Sequence, residues 1–457
     1  MKRIVKELSL TLAAMMVPFG LAGCSQADAS VSISTSLQTE SMTSVANGAA
    51  PEETPETKTE GEREVTLSLL IDSNVSLDGL KAVCESAYEK LGIAIEIEYK
   101  VDTSVLKTRL AAGEMTDLVV YNSGSLLEAL EPSEYFIDLT TQPFVNRYDE
   151  TYKKSVTVDE VVYGVPFTST QAGAVMYYKP IYEELGLEIP GTWDEFLSNC
   201  QKIDSAGYTA YISSTAQESM TQVLFLGDHY NVMASNPDFV REFEQGKVQY
   251  ASDQVALKSW EKYQDIIPYL QEEHTTITYD EACRMLAEGR GAHWICLTQA
   301  LSNIYSLYGE EVVNQIGVFG IPGDNANDHG LTIWMPNSIY GSIHSEKKKD
   351  ILRFMEFYVS DEALDIYAKA VLPDGPYCIK EYTLPEDSYD GVKNDMQRYF
   401  KERKTRVAME FETAIKGANC SRITQSLITG SISGKQAAIE YDEDCKKQAV
   451  QLGFQWD

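Results

Sequence analysis

The chain has 457 residues, with 69 Asp and Glu against 38 Lys and Arg and a formal charge of −31. So strong an anion opposes binding to nucleic acid, whose phosphates repel it. The length is enough for two globular domains, and beyond the N-terminus no apolar run is long enough to span a bilayer.

Lys2, Arg3 and Lys6 form a positive start, Leu8 to Leu21 is apolar but short for a membrane span, and Leu21-Ala22-Gly23-Cys24 follows at once. This pattern resembles a bacterial lipobox. The resemblance implies cleavage before Cys24, a diacylglycerol on its thiol, and attachment to the outer face of the cell membrane. A plain secretory signal with an incidental Cys24 is the other reading, but small residues at both positions before the cysteine suit the cleavage and the lipid together. Residues 1–23 carry a net charge of +2, so the remainder carries −33. Ser25 to Glu64 consists of Ser, Thr, Ala, Gln, Glu and Pro with hardly a large apolar residue, which predicts a disordered tether. Its reach as a flexible chain is roughly 35 Å.

The folded part then opens with EVTLSLLI, Glu64 to Ile71, a β-branched apolar run read as a strand ending in the turn Asp72-Ser73-Asn74. Apolar positions at helical spacing (Leu80, Val83, Cys84, Ala87, Tyr88, Leu91) predict a helix closed by Gly92, followed by a strand over Ile93 to Val101. A second helix is expected over Ser104 to Ala112, and a buried strand over Asp117 to Tyr121 that ends at Asn122-Ser123-Gly124-Ser125. Such alternation predicts an α/β fold with a parallel sheet, whose ligands bind beyond the carboxyl ends of the strands. Ser73, Asn74, Tyr121 and Asn122 sit there. Further on, Val161 to Lys179 reads as a strand, a break at Gly164 and Pro166, and a second strand over Ala174 to Tyr178. That is either an ordinary loop or a hinge between two lobes beside a ligand cleft.

Seven cysteines remain besides Cys24, an odd number without a CxxC pair, so at least one thiol is free and most are expected to be buried. The five histidines show no metal-ligand spacing, and neither a metal nor another cofactor is expected.

Leu106–Tyr121, Val161–Phe167 and Tyr182–Tyr211 together resemble extracellular solute-binding proteins of the sugar-binding class, family 1, that serve ABC importers. The resemblance continues through MLAEGRGAHWICL (285–297), IGVFGIPGDN (316–325) and the stretch 334–363, so it covers essentially Val65 to Asp457. It implies a two-lobed periplasmic-binding-protein-like fold joined by three hinge crossings, expected near Gly164–Thr168, Val318–Pro322 and Leu372–Pro376. Lobe one is then 65–165 with 323–372, and lobe two is 166–322 with 373–457. It also implies a monomer that captures a mono- or oligosaccharide and delivers it to a permease.

A sugar offers C–H faces to flat rings and hydroxyl edges to fixed polar groups. Trp294, at the end of an expected strand, matches the family's cleft tryptophan. Trp334 lies in TIWMPN, where lobe one is expected to face the cleft, although such an apolar run also describes a buried strand. Tyr177 and Tyr178 alternate across a strand, and Tyr178 is the expected cleft residue of the two. The candidate ligand-binding set is therefore Ser73, Asn74, Tyr121, Asn122, Tyr178, Trp294 and Trp334. Asp117 is read as structural, and Trp193, Trp260 and Trp456 as core or surface. The competing class is a surface-anchored glycan hydrolase, which needs two facing carboxylates, and no pair stands out in the sequence. GxSxG, HExxH and P-loop motifs are missing, and an adhesin would favour repeats that the chain lacks.

Overall fold

In the computed structural model, residues 64–72, 77–100 and 103–456 are described, so the expectations on Cys24, the tether, Ser73 and Asn74 lie outside the described residues. In chain order the strands are β1 (Val65–Asp72), β2 (Ile93–Lys100), β3 (Leu118–Tyr121), β4 (Thr157–Val158), β5 (Val161–Val162), β6 (Gly164–Pro166), β7 (Gln171–Tyr178), β8 (Tyr211–Ile212), β9 (His293–Leu297), β10 (Ile316–Phe319), β11 (Leu331–Trp334), β12 (Ser338–Gly341) and β13 (Thr405–Val407). Helices Asp78–Leu91 and Thr103–Ala112 separate the first three strands, as the apolar spacing predicts. Gly92 closes the first of these helices with φ 66°, a left-handed cap that glycine adopts without strain.

Two sheets carry the molecule. The first has the order β2-β1-β3-β12-β6, with β1 parallel to both β2 and β3, and β12 antiparallel to both of its neighbours. All four residues of β3 are buried, as a central strand covered on both faces requires, whereas Glu96 and Glu98 of the edge strand β2 face water. The second sheet has the order β13-β11-β7-β9-β8, and β7 shares its β11 edge with β10. Side chains alternate across it. Ala172, Ala174 and Met176 of β7 join Trp294 and Cys296 of β9 in one core, while Val175 and Ile295 join Phe196, Trp260 and Tyr441 in another. A helix over Trp193–Ser205 begins with Thr192 as N-cap in a reciprocal capping box with Glu195, and Trp260 is fully buried. The seven described cysteines are all unbridged, and six of them are buried.

The chain first passes between the sheets after β6, through 167–170; Gly164 and Pro166, read as the break, instead lie within β6 and pair with Tyr340 and Ser338 of β12, an edge position that tolerates proline. The second passage differs from expectation. It is not at Val318–Pro322, because β10 and β11 both pair with β7 in the second sheet, and the chain leaves that sheet only through Met335–Asn337 to enter β12. A short apolar run followed by Gly and Pro has the same pattern whether the next strand returns to its own sheet or joins another. Residues 323–334 therefore go with the second lobe. The third passage begins after helix Asp361–Ala370, where Pro376 O accepts both the amide (3.0 Å) and the hydroxyl (2.7 Å) of Thr170. It is also longer than expected. Cys378 O still accepts the Asp149 amide, and the Tyr382 hydroxyl still donates to Asp365 of the first lobe.

Asp117 pins the first sheet. Its carboxylate accepts from the Ser68 amide at 3.0 Å, the Ser345 hydroxyl at 2.7 Å and Lys347 Nζ at 3.0 Å. Partial burial opposes its charge, yet the bonds from Ser345, Ser68 and Lys347 hold it below the usual carboxylate range. A deeper ion pair holds the second lobe. Lys262, 4% exposed, pairs with Asp228, donates to Pro322 O at 2.7 Å and lies 4.9 Å from the Trp193 ring centre. Asp228 also accepts from Ser259 and Asn231, each at 2.7 Å.

Replacing Lys262 by Met strands a buried carboxylate, and urea unfolding should show stability lowered by about 3–5 kcal/mol. A second expectation concerns Asp374, beside the first crossing, whose amide donates to Ser169 Oγ at 3.2 Å and whose carboxylate accepts the Ser302 hydroxyl. Burial pushes its pKa up to about 6. A raised folded-state pKa gives stability that is complete below the unfolded value and lost as pH rises through the folded one. Melting curves of wild type and Asp374→Asn should therefore show the variant gaining on wild type between about pH 4 and pH 7.

Candidate functional site

A cavity of about 540 Å³ lies between the two lobes, with walls from both. The first lobe supplies the end of β3. Its four apolar residues bury themselves, with Tyr121 only 2% exposed, and the chain emerges at Asn122, which lines the cavity and whose carbonyl accepts the Tyr340 hydroxyl at 2.9 Å. Gly124 follows with φ 68° and ψ −143°, a conformation open essentially to glycine. A Cβ there would sit 2.3 Å from Phe411 O, so the missing side chain lets the lobes touch. Ser125 Oγ then donates across the gap to Glu410 O at 3.0 Å.

The second lobe supplies the facing wall from the segment after β13. The short helix Met409–Glu412 carries Glu410 and Phe411 into the cavity, and Thr413, Lys416, Ser421, Gln448 and Gln222 add to its polar lining. Glu410 Oε1 accepts the Trp334 indole N–H at 2.6 Å, and Glu410 Oε2 is ion-paired with Lys416. Gln448 Oε1 accepts the Lys416 amide at 2.7 Å, which fixes the loop carrying the ammonium. The Trp334 ring lies over Gly173, where a Cβ would come within 2.6 Å of it. These groups form a lining of amides, hydroxyls, one carboxylate and one ammonium, with Phe411 and Leu126 as the apolar surface.

The expected site residues separate on this geometry. Asn122 lines the cavity, Tyr121 stands one residue behind it in the core, and Trp334 stands one hydrogen bond behind the wall, on the second lobe rather than the first. Tyr178 is at the far end of β7. The strand runs away from the crossing, which puts Tyr178 about 23 Å from Gln171 at about 3.3 Å per residue. Its hydroxyl donates there to Gln315 at 2.8 Å. Trp294 is also displaced from the expected cleft. It is 1% exposed, sits opposite Met176 in the sheet and packs on Tyr279 with ring centres 5.4 Å apart. A void it borders holds about 20 Å³, room for one water rather than a sugar ring. Both faces of β9 are covered, Trp294 and Cys296 by one core and Ile295 by the other, so an aromatic on either face is buried. Glu410, Phe411, Lys416, Gln222 and Gln448 were not expected at the site. Their stretches show no motif, and what marks them is contact across the lobes.

The sequence matches the family of bacterial extracellular solute-binding proteins over residues 73–365, more than half of the chain. The protein belongs to that family. Among curated relatives, the multiple sugar-binding protein of Streptococcus mutans is 31% identical over 109 residues, 24% of this chain and 26% of that one. An uncharacterized ABC transporter extracellular-binding protein of Pyrococcus horikoshii is 28% identical over 163 residues, 34% of this chain and 39% of that one. The matches thus span between about a quarter and two fifths of those relatives' length. Solved structures share the fold over nearly their whole length. RafE of Streptococcus pneumoniae in its apo form superposes with TM-score 0.69 at 21% identity, covering 86% of this chain and 100% of that one. A binding protein of Bacillus subtilis in an open conformation gives 0.70 at 14% identity, covering 85% and 98%. Both have the two-lobed α/β fold.

Because Trp294 is buried in the core, Trp294→Ala should lower the unfolding free energy by about 3–5 kcal/mol. Calorimetric melting should register that loss, whereas a tryptophan used only on a ligand would leave the unliganded protein's melting unchanged.

Proposed function

We propose that the protein captures a carbohydrate between its lobes and delivers it to the permease of an ABC importer. The observation that carries this is the cavity walled by both lobes, because a ligand touching both walls binds the closed arrangement better than an open one and so shifts the population toward closure. Its polar lining suits hydroxyl edges, and Phe411 with Leu126 suits C–H faces. Relatives agree: one is a multiple sugar-binding protein, and a RafE of the same fold is known in complex with raffinose.

The ligand set proposed here is Asn122, Ser125, Gln222, Glu410 and Phe411, with Trp334 supporting Glu410. Ser73 and Asn74 remain proposed on position, since they follow β1, which pairs with β3 beside Asn122. The lobes are taken as the two sheets with their covering helices, and the protein as a monomer held to the outer face of the membrane by lipid on Cys24. Among the described residues no helix is long and apolar enough to cross a membrane. Glycan hydrolysis is the weaker reading, because among the described residues the cavity lining holds one carboxylate, paired with an ammonium, and such hydrolysis takes two.

Calorimetric melting against mono- to trisaccharides should show one that raises stability by about 2.7 kcal/mol at a hundredfold excess over its Kd. Silence to every saccharide, or release of product from a glycan, would overturn the proposal. Radiolabelled lipid should enter the wild type made in a bacterial host and be lost in Cys24→Ala.

A further inference from the structure

Among the described residues lining the cavity, the charged ones are Glu410 and Lys416. They face each other as an ion pair and are both part-buried. Two acids bonded to lining residues or their neighbours are already engaged: Glu218 accepts the Ser421 hydroxyl at 2.9 Å, and Asp444 accepts the Asn419 amide at 2.8 Å. Glu410 is further committed through Trp334, whose N–H it accepts at 2.6 Å. Among the described residues, the lining therefore offers neither a free ammonium nor a free carboxylate.

We propose that the cavity selects uncharged sugars and discriminates against acidic ones such as uronates and sugar phosphates, with the Glu410–Lys416 pair as the discriminating element. The inference rests on the carbohydrate reading above. An acidic sugar entering the cavity loses hydration and meets no net countercharge, since the attraction of Lys416 is offset by the repulsion of Glu410. To gain Lys416 it would have to displace Glu410, leaving that carboxylate unpaired beside an indole that depends on it. A hydroxyl needs no such exchange. It can donate to a remaining lone pair of Glu410 and accept from a remaining N–H of Lys416, so the closed pair is itself a donor and acceptor array for neutral hydroxyls.

Glu410→Gln isolates the charge, because the amide oxygen of Gln still accepts the Trp334 N–H while Lys416 loses its counter-ion. Titration calorimetry would compare wild type, Glu410→Gln and Lys416→Met against raffinose, maltotriose and xylotriose as neutral probes and trigalacturonate as the acidic one. Wild type should bind its best neutral probe at least tenfold more tightly than trigalacturonate. Glu410→Gln should bind trigalacturonate at least tenfold more tightly than wild type does, with a salt dependence that wild type lacks, and Lys416→Met should show no such gain. Should a variant fail to fold, the wild-type preference and its insensitivity to salt still decide the matter. Wild type binding trigalacturonate as tightly as any neutral probe, or a folded Glu410→Gln keeping the wild-type preference, would overturn the proposal. If no saccharide binds wild type, the carbohydrate reading itself falls and takes this inference with it.

Discussion

Thr170 gives both its amide and its hydroxyl to the carbonyl of Pro376, and much of the molecule depends on that double bond. It ties the first passage between the lobes to the third, so two chain segments far apart in sequence are held as one strap. Gly375 is part of the arrangement, since a Cβ there would come 2.4 Å from Thr170 O. The tie sets the first and third passages side by side in one narrow band of backbone between the two sheets.

Those walls are built by opposite means. The first lobe presents backbone at a strand end, where Gly124 removes a side chain so that Phe411 can approach. The second presents side chains on a short helix held from behind, with Trp334 bonded to Glu410 and its ring seated over Gly173. Small residues make room on both sides, and an aromatic ring fills the room on one. The Glu410 and Lys416 side chains are thereby held in one arrangement.

Local pattern made the first sheet legible. β1, helix Asp78–Leu91, β2 and β3 follow from apolar spacing, a closing glycine and a buried four-residue run, all of which are short-range properties. Asn122 as a cavity residue follows from the same rule, since ligands of such sheets collect beyond strand ends. The second sheet was harder to read. Its central strand β7 pairs with β9, β10 and β11, partners more than a hundred residues away, so membership depended on pairing that no local run encodes. The second passage was misplaced for this reason, and Trp334 was set on the wrong lobe with it. Trp294 failed differently: an aromatic at a strand suits a cleft or a core equally, and both faces of β9 are covered by segments distant in sequence.

From residues alone, then, came the α/β class, the family resemblance, the lipobox-like pattern at Cys24 and the place of Asn122 at a strand end, because each rests on composition or on neighbours within a few residues. Tertiary structure alone decided the route of the second passage, the burial of Trp294, the remoteness of Tyr178 and the pairing of Glu410 with both Trp334 and Lys416. The physical reason is that a binding wall is made when distant segments meet. Lys416 and Glu410 look like surface charges in sequence, and only the fold sets them against Asn122 across a shared cavity.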